Sequence, residues 1–193
     1  MTGMATENLT LKTPAKPNTK MNLSTLTRIA LGQIGEDLPQ GEFTDVINLN
    51  TIQNNFPIFD HLALLNGEVY VFSTKARKKI GANGKINSSY NILYNSDSIS
   101  RKFKKALELF TENGYDIETM HYCFLVAPLE EEKGCKYYWG EFTELMPECT
   151  KQNILDGKIK RFAIPMLDYN LTTYKVFGEH TWDYIKTKYL TGS

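Results

Sequence analysis

A mixed α/β domain is the fold class this sequence predicts, and three observations predict it. Helical periodicity comes first: Leu26, Ile29, Ala30 and Gln33 fall at i, i+3, i+4 and i+7. Two strand-like apolar runs follow, joined by Asn66-Gly67, a dipeptide that tolerates the positive φ of a tight hairpin turn. A second amphipathic helix and a further apolar run come next, an order that layers helices on a sheet. The 193 residues suit one domain, and an apolar share of 41% can fill its core.

The elements can be justified in order. Residues 1–21 hold Lys12, Pro14, Lys16, Pro17 and Lys20 among polar neighbours and read as a flexible N-terminal tail; residues 22–193 read as a single domain. The first helix is expected from Leu23 to Asp37, with Ser24 as N-cap and Pro39 and Gly41 ending it. Phe43–Leu49 reads as a strand. Ile58–Leu65 and Val69–Thr74 are the two hairpin strands. Residues 81–98, rich in Gly, Asn and Ser, read as a loop with a short strand at Tyr90–Tyr94. Ser100–Asn113 is the second helix, with Phe103, Ala106, Leu107 and Phe110 as its apolar stripe and Asn113-Gly114 as its stop. His121–Ala127, closed by Pro128, Lys136–Phe142 and Lys158–Ile164 are strand candidates. Thr181–Leu190 is a terminal helix with Trp182, Ile185 and Tyr189 on one side.

Formal net charge is zero, but the charges are unevenly spread. Lys75, Arg77, Lys78, Lys79, Lys85, Arg101, Lys102, Lys104 and Lys105 crowd one stretch whose single acid is Asp97. From Ala106 to Cys149 acids dominate, against Lys133 and Lys136 alone. A basic face on a neutral protein is the footprint expected for a nucleic-acid partner. Cys123, Cys135 and Cys149 form no CxxC pair and no His/Cys cluster, which argues against zinc. An odd number of thiols, with no leader-like start, predicts a reduced, cytoplasmic protein, and no run is apolar enough to span a bilayer. His121, Tyr137, Tyr138 and Trp139 read as packing residues.

One constellation carries chemistry. Ser73 and Lys75 lie two apart and so share a strand face, while Asp60 leads the neighbouring strand at the same open end of the hairpin. The spacing therefore gathers Asp60, Ser73 and Lys75, with Thr74 and His61 turned the other way. Glu68 stands at the turn, far from that end.

Phe59-Asp60, Asn66-Gly67 and Val71-Phe72-Ser73-Thr74-Lys75-Ala76-Arg77, preceded by Gly32-Gln33-Ile34-Gly35-Glu36, resemble the core of the PD-(D/E)XK nucleases, in their restriction-endonuclease-like and Holliday-junction-resolvase-like branches. The resemblance covers roughly residues 24–127 and leaves 128–193 as C-terminal additions. It implies a restriction-endonuclease-like core: a mixed central sheet flanked by helices. It also implies a Mg²⁺- or Mn²⁺-dependent nuclease acting on nucleic acid, DNA in the first instance, of restriction or repair type. Asp60 and Glu36 would be the metal ligands and Lys75 the cation that positions water. Arg77, Lys78, Lys79, Arg101, Lys102, Lys104 and Lys105 would meet the nucleic acid, and a homodimer is compatible with the family. Ser73 stands where the family has Glu or Asp, and a hydroxyl brings no charge to a hard cation. The alternative reading is thus a catalytically inactive fold kept for nucleic-acid binding or assembly.

Overall fold

The computed structural model describes residues 28–87, 89–93, 96–165 and 173–190. The expected tail at 1–21, the Ser24 cap and Tyr94 lie outside them. The elements run α1 (Arg28–Glu36), β1 (Thr44–Asn48), β2 (His61–Leu65), β3 (Glu68–Lys78), β4 (Ser89–Leu93), α2 (Ser96–Glu112), β5 (His121–Glu130) and β6 (Gly134–Glu141). They continue with α3 (Phe142–Leu145), α4 (Lys151–Leu155), β7 (Phe162–Pro165), β8 (Lys175–His180) and α5 (Trp182–Ile185), which passes into a π turn at Lys186–Leu190.

A six-stranded mixed sheet of order β1-β2-β3-β5-β6-β8 is the centre of this α/β fold. β2 and β3 pair antiparallel, and Leu65 faces Glu68 across the Asn66-Gly67 turn, where φ is 52° and 80°. β3 and β5 pair in parallel from Tyr70↔His121 to Lys78↔Leu129. Parallel neighbours need a crossover, and α2 lies in that connection. α2 therefore runs back along the sheet, and its first turns lie toward the end of β3 that carries Lys75 and Arg77. β4 and β7 form a separate two-stranded ribbon.

The pleat sends alternate residues into two cores, one on each face of the sheet. Val71 and Phe124 join Phe59, Phe103 and Phe110 of one core, which α2 and α4 cover. Phe72 and Leu125 join Ala30, Ile34, Tyr137 and Ile185 of the other, beneath α1 and α5. After α1 the chain must pass close over β8. A Cβ on Gly41 would stand 2.1 Å from the Phe177 carbonyl oxygen, and one on Gly178 would stand 2.8 Å from Pro39. Gly41 is thus required by close backbone approach, and Gly178 by the Pro39 ring packed over it.

Several expected boundaries move. β5 continues through Pro128 to Glu130 rather than closing there; its ladder to β6 has no pair at Pro128, which has no N–H to give. The Lys136–Phe142 strand starts and ends earlier, because Phe142 turns into α3. The Lys158–Ile164 run contracts to β7. α3, α4 and β8 were not expected from the sequence. All three cysteines are free and buried, and among the described residues no helix is long and apolar enough to cross a membrane.

Candidate active site

A cleft of about 430 Å³ opens between α1 and the ends of β2 and β3. Arg28, Gly32, Gly35 and Glu36 of α1 line it, with Asp60, Thr74, Lys75, Ala76 and Arg77 from the strand pair. Each has a local reason to be there. Arg28, Gly32, Gly35 and Glu36 are spaced i, i+4, i+7 and i+8, so they form one helix face, while Ala30 and Ile34 on another face enter the core. At Gly35 the helix comes close to β3: a Cβ there would meet the Ala76 Cβ at 3.5 Å.

Asp60 is fixed by its backbone and its side chain together. Its N–H donates to the Phe72 carbonyl at 2.9 Å, and its carbonyl accepts from the Leu49 N–H at 2.9 Å. The Thr74 N–H donates to Asp60 Oδ2 at 2.8 Å. Burial pushes the Asp60 carboxyl up to about 6; the Thr74 N–H and the Lys75 ammonium pull against it, and the like charge of Glu36 adds to the rise. Burial also lowers Lys75, helped by the positive charges of Arg77 and Arg28 and opposed by Asp60. The cleft thus holds two carboxylates that disfavour each other, beside three cations.

Ser73 departs from the expected gathering. It is 1% exposed, and its hydroxyl donates to the Ile58 carbonyl at 2.9 Å instead of facing the cleft. Ile58 has φ 63°, a left-handed conformation that costs a β-branched residue free energy. Ser73 is therefore a clamp on the strained segment leading into Asp60. Thr74, expected to turn away, lines the cleft.

His61, also on the face away from Asp60, is nonetheless tied to the site. It is buried, and its Nε2 lies 3.0 Å from the Glu36 carbonyl, so Nε2 carries the proton and donates. Nδ1 then accepts from the Thr74 hydroxyl at 3.2 Å. Burial holds His61 below its usual range, in keeping with a neutral ring.

Of the expected nucleic-acid residues only Arg77 lines the cleft; α2 and its basic residues cover the opposite face of the sheet from α1. Arg101, Lys104 and Lys105 are exposed on the early turns of α2, and Lys102 is half-buried. Lys78 ends β3. Lys79 is already paired with Glu130 at 2.5 Å. Sequence reasoning missed Arg28 and His61. Helical spacing back from Glu36 could have found Arg28; nothing local to His61 signals its bond to α1.

A Mg²⁺ ion is commonly held by one or two carboxylates, with water and substrate phosphate completing its shell. Asp60 and Glu36 meet that minimum, and Ser73 adds nothing to it. Among the described residues, no cluster of three or more His, Cys, Asp or Glu could hold a metal ion. The chain matches no protein-family model, no curated protein and no solved structure.

Proposed function

We propose that this protein is a metal-dependent nuclease of the PD-(D/E)XK type, cleaving phosphodiester bonds of DNA in restriction or repair. The observation that carries the reading is the shared cleft of Asp60, Glu36 and Lys75, flanked by Arg28 and Arg77. The element order supports it: α1, three antiparallel strands, then, after β4 of the separate ribbon, α2 and β5 parallel to β3, which apart from β4 is the core order of that superfamily.

Asp60 and Glu36 would hold Mg²⁺ or Mn²⁺. When bound, that ion would stabilise charge on the phosphate and make bound water more acidic. Thr74 occupies one Asp60 oxygen and so orients the other toward a ligand. The Lys75 ammonium, half-buried, offsets phosphate charge and positions water. Arg28 and Arg77 meet phosphate oxygens along the cleft, and Arg101, Lys102 and Lys104 extend the basic path on α2.

The experiment is cleavage of supercoiled plasmid, single-stranded DNA and RNA with Mg²⁺ or Mn²⁺, comparing wild type with Asp60→Ala and Lys75→Ala. Cleavage lost in both variants supports the assignment. The second reading, a binding module without catalysis, is favoured by one observation: Ser73 replaces an acid and is spent on Ile58. It predicts binding that weakens steeply with salt and no cleavage under either metal.

A further inference from the structure

The last turn of α1 is held in an unusual way. Its final intrahelical bond runs from the Asp37 N–H to the Gln33 carbonyl at 2.9 Å, so the carbonyls from Ile34 onward have no helical partner. Helices commonly end by turning a glycine back on these groups. Here side chains from three strands reach them. The Tyr137 hydroxyl on β6 donates to the Ile34 carbonyl at 2.7 Å. His61 on β2 donates to the Glu36 carbonyl at 3.0 Å. His180 on β8 donates through Nε2 to the Asp37 carbonyl at 3.0 Å.

The turn they grip is the one that carries Glu36. We infer that His61, with Tyr137 and His180 behind it, is a positioning residue that sets the Glu36 carboxylate against Asp60. The inference rests on the metal-dependent reading of the cleft. The geometry explains why His61 suits this role. The Glu36 carbonyl fixes its tautomer, the Thr74 hydroxyl donates to its other ring nitrogen, and Thr74 also holds Asp60 through its backbone N–H. One residue thereby touches both halves of the cleft: through its hydroxyl and His61 it reaches the Glu36 backbone carbonyl, and through its N–H the Asp60 carboxylate. It also gives the C-terminal additions a purpose, since two of the three donors stand on β6 and β8. Outer groups that orient ligands typically change metal affinity by about 10-fold to 100-fold when removed.

The test is Mn²⁺ titration followed by the electron paramagnetic resonance signal of the free ion, on full-length wild type, His61→Leu, His61→Gln and Tyr137→Phe. Circular dichroism monitors the fold. Asp60→Asn and Glu36→Gln identify the site. The expected result is Mn²⁺ dissociation raised about 10-fold or more by His61→Leu, and largely rescued by His61→Gln, whose amide can still donate. Tyr137→Phe should shift it in the same direction by a smaller factor. His61→Leu and Tyr137→Phe, both folded and binding Mn²⁺ as wild type does, would overturn the positioning role while sparing the metal site. Wild type that binds no Mn²⁺ would overturn the metal reading and the positioning role with it. Should His61→Leu not fold, Tyr137→Phe and His61→Gln decide the matter.

Discussion

Asp60→Asn should make the protein more stable at neutral pH, and the size follows from the carboxyl's surroundings. An aspartate ionising at 3.8 when unfolded and at about 6 when folded binds its proton more tightly in the native state. The stability this group contributes is therefore fully present below 3.8 and is lost as pH rises through about 6. Above that, the ionised carboxylate opposes folding by about 3 kcal/mol. The carboxyl borders an open cleft, so solvent access trims the effect to about 2 kcal/mol. Asparagine carries no charge and keeps an oxygen that can accept the Thr74 N–H. Thermal melts of both proteins from pH 4 to pH 7.5 should show the variant about 4 to 8 °C higher at the neutral end. The two should converge near pH 4. On the metal-dependent reading, the gap should narrow in millimolar Mg²⁺, because a cation bound by wild type alone would offset the carboxylate charge. An asparagine variant less stable than wild type at pH 7, or two parallel pH profiles, would refute the reasoning.

Ser73→Ala should cost about 1 to 2 kcal/mol, read from urea denaturation, because the half-buried Ile58 carbonyl loses its donor. On the nuclease reading, the same change should leave cleavage within a few-fold of wild type, since the hydroxyl does not face the cleft. Ser73→Glu should destabilise the protein rather than restore a full acidic set, because the side chain would enter a closed site; urea midpoints and plasmid cleavage check both halves. Gly41→Ala drives a Cβ into the Phe177 carbonyl and should cost on the order of 2 to 4 kcal/mol, visible as a lowered melting temperature. The three thiols should react with Ellman's reagent only on unfolding, since all are buried and burial pushes Cys135 and Cys149 up to about 12.

The parts of this fold that local rules govern could be read in advance. Asn66-Gly67 specified the turn, and the apolar stripe of Phe103, Ala106, Leu107 and Phe110 specified the buried side of α2. β8 was not legible: Lys175–His180 is short, carries Gly178, and is a strand only because β6 offers it an edge. The candidate site divides in the same way. Alternation placed Ser73 and Lys75 on one side of β3, but depth, which alternation does not encode, buries Ser73 under Ile58 and leaves Lys75 at the cleft. Glu36 came from the resemblance rather than from helical spacing, whose expected stripe included Ile29, 74% exposed in the structure, while Ala30 and Ile34 are the buried residues. The bonds from His61, Tyr137 and His180 join segments far apart in the chain, and no local pattern announces them.

That separation has a consequence for how the protein is made. The bonds to the end of α1 span 103 residues from Tyr137 to Ile34 and 143 from His180 to Asp37. During synthesis, the helix that leads the described structure leaves the ribosome long before the strands that will hold its last turn. Contacts this distant in sequence are made late, because loop closure must come before they return any stability. The hairpin bearing Asp60 and Lys75 can form from its own turn and brings His61 to Glu36, while the other two holds on that turn wait for β6 and β8. A truncated product ending before β6 would thus keep the strand half of the cleft and leave the end of α1 without its Tyr137 and His180 donors, held by His61 alone.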